Sequence, residues 1–390
     1  MYNLKQLRAT RSQSVYYSLV VAIAFVVFFG HLGILRSRSK LPSVQQSTII
    51  EYHASTPTKK RISLPTSCKK RVFNYQPSAM EKSWARAIAE LAAEDKSWKK
   101  GCAKVRAEAE KIHLLLREIQ QHTSGVSGRN MSYTHLSSHE VEDSCTGVKS
   151  IVYVEPLISF LRHPQALCIN TGPDIYSGNW IHKLLLRRRA WTKNVFDKSY
   201  MVVPFVDEVS THDAYKWLFD AGASTYDAGA GGASQSWFVD TYRKRGIEFD
   251  RIIGWEAALT DPRKQWSTVP ADIKRKTSWY NIPATAIKGD PDNPLTFIKE
   301  LVSVEDYVVF KLDIDTPAVE VALVQQLMKD EELLELIDEF YFEHHVSGSP
   351  MQWHGWGDLT KSKTALGHIQ DSYDIFTFFR QRGIRAHSWV

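Results

Sequence analysis

Hydrophobic and polar positions along this chain fall into three textures. Residues 15–35 form one unbroken uncharged run, with His31 as its single imidazole. A helix of about 20 such residues crosses the roughly 30 Å of bilayer hydrocarbon. The pattern therefore predicts a transmembrane anchor over 15–35 behind a short tail over 1–14. The run is long for a cleaved leader and no Ala-x-Ala site follows it, so it is expected to stay uncleaved. Residues 36–149 are a polar stem or linker, rich in Ser, Thr, Pro and Lys as far as Pro77. A helix is expected inside it over about 79–121. Ser78-Ala-Met-Glu81 opens it as a capping box, and Trp84, Ile88, Leu91 and Ala92 recur at helical spacing. The Ser/Gly/His-rich stretch 122–149 has no period and reads as a loop, with His122, His135 and His139 in solvent.

From about Ser150 short β-branched runs alternate with helical stretches. That alternation predicts an α/β domain over 150–390, a Rossmann-like, mostly parallel sheet with flanking helices. Strands are expected over 251–255, 307–312 and 336–342, with 201–206 as an extended lead-in. Helices are expected over 212–220, 234–245, 319–328 and 372–382.

Composition changes this picture little. A hydrophobic fraction of 43% and a charged fraction of 24% are those of a folded globular chain. The net charge of +6 gathers near the anchor, at Lys5, Arg8 and Arg11, at Arg36, Arg38 and Lys40, and at 59–61 and 69–71. Such charge suits anionic headgroups. No basic stripe interleaved with aromatics is present, so no nucleic-acid partner is expected. Three basic residues on each side leave the positive-inside comparison nearly tied. The sequon Asn130-Met131-Ser132 and the even set Cys68, Cys102, Cys145 and Cys168 tip the expectation. They suggest a luminal body in a Golgi or other secretory membrane. The four cysteines allow three pairings, and their spacing does not suit zinc.

Candidate chemistry collects where strands end, the crevice in which open α/β sheets bind ligands. Asp227-Ala-Gly229-Ala-Gly231-Gly232 precedes an expected helix. Glycine permits close backbone approach there, and a helix start offers free N–H groups. Asp227 suits a cationic or amine-bearing group. Glu256, ending the next strand, suits the two hydroxyls of a ribose. At Glu343-His344-His345 strand alternation turns the two histidines to opposite faces, so at most one enters a given site. An imidazole there suits a general base acting on an acceptor hydroxyl. His354, between Trp353 and Trp356, is expected on a loop over the site, and His387 and Trp389 in the core or at the surface.

Four segments carry a resemblance: Tyr-Asp-Ala-Gly-Ala-Gly-Gly at 226–232, Gly-Trp-Glu at 254–256, Val-Phe-Lys-Leu-Asp-Ile-Asp at 309–315 with Glu320, and Asp-Glu-Phe-Tyr-Phe-Glu-His-His at 338–345. In this order they resemble the S-adenosylmethionine-dependent methyltransferases of the FkbM-like group, over about a third of the chain. The resemblance implies a seven-stranded Rossmann-like sheet and methyl transfer to oxygen, often on a carbohydrate. It also implies that Asp227, Gly229 and Gly231 line the methionine part of S-adenosylmethionine, Glu256 binds its ribose and Asp313 faces the transferred methyl. At 315–317 this chain reads Asp-Thr-Pro where the family has Glu-Gly.

Asp313-Ile-Asp315 supports a second reading. Asp-x-Asp after an apolar strand is how many Golgi glycosyltransferases hold a divalent cation against a nucleotide-sugar diphosphate. In a methyltransferase the same pair, with His344 or His345, would hold Mg²⁺ or Mn²⁺ on substrate hydroxyls. A non-catalytic binding protein that keeps the fold is the third reading.

Overall fold

Six short strands lie side by side, every pair parallel: β4 (Lys216–Ala221), β5 (Arg251–Trp255), β6 (Thr277–Tyr280), β7 (Tyr307–Leu312), β8 (Glu339–Phe342) and β9 (Arg385–Ser388). Their order across the sheet is β6-β5-β4-β7-β8-β9. The chain winds outward from β4 in one direction and from β7 in the other. The switch point between those two strands is where an open α/β sheet offers a ligand crevice, beyond the carboxyl ends. This computed structural model describes residues 70–93, 135–143, 146–157, 201, 215–227, 235–346 and 367–389. The expected α/β class and largely parallel sheet are observed. Where the resemblance implies seven strands, the sheet of the described residues has six.

Parallel strands are covered on both faces, so they read as continuous apolar runs. β7, Tyr-Val-Val-Phe-Lys-Leu, is buried at all its positions. β4 obeys the same rule and corrects the helix expected over 212–220. Lys-Trp-Leu-Phe-Asp-Ala lies between β5 and β7, with its last four residues buried. A short apolar run of this kind has no period that separates strand from helix. Against the sheet pack α2 (Gln235–Arg243), through Phe238 and Tyr242, and α8 (Ile369–Gln381), through Phe376 and Phe379. Gly254 in β5 lets α2 come close: a Cβ there would stand 2.8 Å from Gln235 Nε2. The remaining helices are α3 (Pro262–Ser267), α4 (Ala271–Lys274), α5 (Pro294–Leu301), α6 (Pro317–Met328) and α7 (Glu331–Leu336). Pro at the start and an Asp or Asn cap open α3 and α5, where the missing proline N–H costs nothing.

Part of the expected stem belongs to the folded body. β1 (Lys70–Gln76), β2 (Ser137–Asp143) and β3 (Lys149–Val154) form an antiparallel sheet, and α1 (Ala79–Ala93) follows β1. The boundary expected at 150 falls inside β3, and the compact unit runs from Leu64 to Val390. Ser78 caps α1, its Oγ accepting from Glu81 N at 3.1 Å. The reciprocal half of the expected capping box is not formed, because Ser78 N donates to Ser137 Oγ instead. The Glu81 carboxylate accepts from Tyr75 Oη at 2.7 Å, Ser137 Oγ at 2.8 Å and Leu157 N at 2.9 Å. His139, expected in solvent, is buried in β2 beside Tyr75. Burial, with Arg380 and Arg385 adding to it, lowers its pKa to about 3.

A buried ionic chain fastens this sheet to β9. Arg380 donates to Glu155 Oε1 at 2.8 Å and to Tyr75 Oη at 2.8 Å. His387 Nδ1 lies 2.7 Å from Glu155 Oε1, and its Nε2 lies 3.2 Å from Glu339 Oε2. Glu339 is bonded further to Tyr242, Tyr307 and Arg385. Burial works to neutralise His387, but Glu155 and Glu339 overrule it and raise its pKa. Burial likewise works to protonate Glu339, and Arg385 and His387 hold its carboxyl well below the ordinary range.

Among the described residues no helix is long and apolar enough to cross a membrane. The anchor expected over 15–35 lies outside them, as do the helix over 94–121, the sequon at Asn130, Cys68, Cys102, Cys145, Cys168 and His354.

Candidate functional site

The crevice is shaped by one glycine. β4 leaves the sheet through Gly222 at φ +88°, where a Cβ would stand 1.5 Å from the Asp313 carbonyl oxygen. Only glycine fits so close an approach at such a φ. The amides of Gly222 and Ala223 both donate to Trp255 O, at 3.0 and 2.9 Å, and so steer the chain across the end of β5. Ser224, also at positive φ, donates its N–H to Glu256 Oε2 at 2.8 Å. Glu256 Oε1 accepts from Ala258 N at 2.7 Å, and Asn281 Nδ2 donates to the Glu256 and Ala258 carbonyls. The Glu256 carboxylate is thus fixed in direction by two backbone amides. A carboxylate offers about four acceptor sites, so capacity for ligand hydroxyls remains. Asp227, exposed, accepts from Thr268 Oγ1 at 2.9 Å. Gly229 and Gly231 lie outside the described residues.

Across the switch point lies a buried lysine. Lys311 Nζ donates to Asp220 Oδ1 at 3.0 Å and to Gly222 O at 2.8 Å, and stands 3.3 Å from Asp313 Oδ2. Burial alone works to lower its pKa; Asp220 and Asp313 overrule it and raise it, so Lys311 stays charged. Trp389 Nε1 donates to the same Asp313 oxygen at 3.1 Å. Asp313 is therefore oriented from beneath, with 17% of its side chain exposed.

Beyond Asp313 the chain turns. Asp315 adopts φ +54° and projects outward, 82% exposed, before Pro317 opens α6. Glu320, buried in the first turn of α6, accepts from Ile314 N at 2.8 Å. Burial raises its pKa, against the pull of His345. His345 Nδ1 lies 3.4 Å from Glu320 Oε2, and its Nε2 lies 3.7 Å from Asp315 Oδ1 and 3.6 Å from Glu343 Oε2. His344 turns elsewhere: its Nδ1 lies 2.8 Å from Ser372 Oγ of α8, and its ring stacks on Phe342.

The expected residues thus sort into groups. Glu256 faces the turn after β4, and Asp313 sits above Lys311. Of the two candidate bases, His345 joins the acidic side of the crevice, while His344 belongs to the packing against α8. The expected cation pair of Asp313 and Asp315 is divided. The Lys311 cation and the Trp389 indole engage Asp313, and the donors grouped around Asp315 are Glu343 and His345. His387 lies in the core. Trp389, also buried, reaches the site through its indole N–H.

Lys311, Asp220, Gly222, Ser224 and Asn281 were not anticipated as site residues. A lysine within the apolar run of β7 was a usable signal, since a buried cation needs an anionic partner on a neighbouring strand. Compared with known proteins, the chain matches no family model, no curated protein and no solved structure.

Proposed function

We propose that this protein is an S-adenosylmethionine-dependent O-methyltransferase, anchored by residues 15–35 with its folded body on the luminal side. The observation that carries the reading is the clasp between Glu256 and Ser224 N, 2.8 Å, at the carboxyl end of β5 beside the β4–β7 switch point. That is where an α/β sheet places a carboxylate for a ribose. Charge supports the same choice. Asp227, Glu256 and Asp313 all follow the carboxyl ends of strands, and Lys311 beside Asp313 is already matched to two carboxylates. Such a charge set favours a sulfonium ligand over a diphosphate.

The cofactor would supply an electrophilic methyl group. Glu256 would accept from the ribose hydroxyls, Asp227 would face the amine end, and Asp313 would lie toward the methyl-transfer centre. The acceptor hydroxyl, for which the resemblance suggests a carbohydrate, would give up its proton beside His345, to the imidazole directly or, with an ion bound there, to solvent. Most of the rate would come from holding donor and acceptor in line. The glycosyltransferase reading needs Asp313 and Asp315 on one cation, and Asp313 is committed to Lys311 and Trp389.

The test is thermal unfolding of the full chain in detergent with S-adenosylhomocysteine, or with UDP or GDP plus Mn²⁺. A ligand that binds only the native state raises the melting temperature. Stabilisation by S-adenosylhomocysteine that disappears in Glu256→Ala is expected. Stabilisation by UDP or GDP with Mn²⁺ beyond that given by Mn²⁺ without nucleotide, and none by S-adenosylhomocysteine, overturns the proposal.

A further inference from the structure

The geometry points to a divalent-cation site made by Asp315, Glu343 and His345, with Glu320 as the residue that positions the histidine. β7 and β8 are neighbours in register, Leu312 beside Phe342, so the segments that leave them run out together. One donor atom from each of the three residues falls within 4.8 Å of the others.

Two readings of this cluster compete. If Asp315 and Glu343 were simply ion-paired with the ring, Nε2 should stand about 2.7–2.9 Å from one of them. His345 Nε2 instead stands 3.7 Å from Asp315 Oδ1 and 3.6 Å from Glu343 Oε2. Donors about 2.1 Å from one tetrahedral ion lie roughly 3.4 Å apart, and a slightly longer bond widens that spacing. The separations match shared coordination better than direct pairing.

The surroundings agree. Glu320 faces His345 Nδ1 with one oxygen and is fastened through the other by Ile314 N, which leaves Nε2 as the atom aimed at the carboxylates. A carboxylate behind a ligating histidine is the usual means of fixing ring orientation and raising ligand basicity. His345 is fully buried and Glu343 8% exposed, while Asp315 is 82% exposed. The site is closed behind and open in front, which gives an entry path and leaves coordination positions for water or a substrate oxygen. One imidazole with two carboxylates suits Mn²⁺, Fe²⁺ or Zn²⁺ better than Ca²⁺. Binding by these residues does not depend on the methyltransferase reading. A role in holding an acceptor hydroxyl rests on that reading.

The experiment titrates metal-stripped full chain in detergent with Mn²⁺ and follows the free-ion electron paramagnetic resonance signal. One ion per chain is expected, with a nitrogen coupling in the bound spectrum that His345→Gln removes. Asp315→Asn changes an exposed side chain and should leave the melting temperature unaltered while weakening Mn²⁺ at least about tenfold. Glu320→Gln should weaken it about tenfold, and Asp313→Asn less than about twofold. The proposal is overturned if the wild-type chain takes up no Mn²⁺, if Asp315→Asn binds it unchanged, or if no nitrogen coupling is present. S-adenosylhomocysteine binding measured without metal in wild type and Asp315→Asn tests the cofactor reading separately.

Discussion

Lys311 and Asp220 sit opposite each other on neighbouring parallel strands, 3.0 Å between Nζ and Oδ1, with 1% and 2% of their side chains exposed. Removing one member of such a pair strands a charge out of water, at about 3–5 kcal/mol. Lys311→Met is expected to lose that much in urea unfolding. Lys311→Met combined with Asp220→Leu should recover most of it. A double variant as unstable as the sum of the single ones would show that the pair is not coupled.

Gly222→Ala addresses the close crossing of β4 and β7. The residue would have to keep φ +88° with its Cβ 1.5 Å from the Asp313 carbonyl oxygen. The backbone conformation alone costs about 1–3 kcal/mol, and the overlap adds to it. A lower melting temperature together with weakened S-adenosylhomocysteine binding is expected. Calorimetry that found both intact would contradict the crossing geometry.

Glu256 ties ligand binding to the turn after β4, because Gln would set an amide NH₂ against one of the two backbone N–H groups that its carboxylate accepts. Glu256→Gln keeps the side-chain shape but removes the charge from the acceptor of Ser224 N and Ala258 N. A hydrogen bond to a charged group is worth about 1.5–3 kcal/mol, so affinity for S-adenosylhomocysteine should fall roughly 10- to 100-fold. Isothermal titration reads this directly, and an unchanged affinity would remove Glu256 from the site.

Two buried histidines make stability depend on pH in opposite senses. His387 has a raised pKa, so its contribution is complete below the ordinary value of 6.5 and is lost as pH rises through the folded value. His139 is lowered from 6.5 to about 3 and folds neutral, so its share is complete above 6.5 and is lost as pH falls. Glu339, held below its ordinary 4.5, steepens the loss at the acid end. A stability maximum near the ordinary histidine value is expected in urea midpoints measured from about pH 5 to about pH 8. His139→Phe should flatten the acid limb and His387→Gln the alkaline one. Limbs unaffected by these substitutions would exclude the histidines as the cause.

Much of the sheet was legible because its strands are dense in apolar residues. β5 and β7 have their expected bounds for that reason, and Glu256 and Asp313 stand out as candidates because they follow strand ends. β4 departs from the helix expected there because Trp217-Leu-Phe219 has no period that separates a buried strand from a helix. β2 was invisible for the opposite reason. Its inward positions are Ser137, His139 and Val141; Ser137 is accommodated by its bond to distant Glu81 and His139 by packing beside Tyr75. The division of Asp313 from Asp315 could not be read either. It depends on a lysine neighbouring Asp220 across the sheet and on the left-handed turn at Asp315.

The bond from Arg380 to Tyr75 joins residues 305 positions apart, and the one from Arg380 to Glu155 spans 225. During synthesis Tyr75, Glu81 and Glu155 leave the ribosome long before their countercharge exists. The antiparallel sheet therefore gains its tie to α8 and β9 only when residues 369–389 have emerged. Loss of that C-terminal stretch would leave the first-made strands without their latch and in need of chaperones.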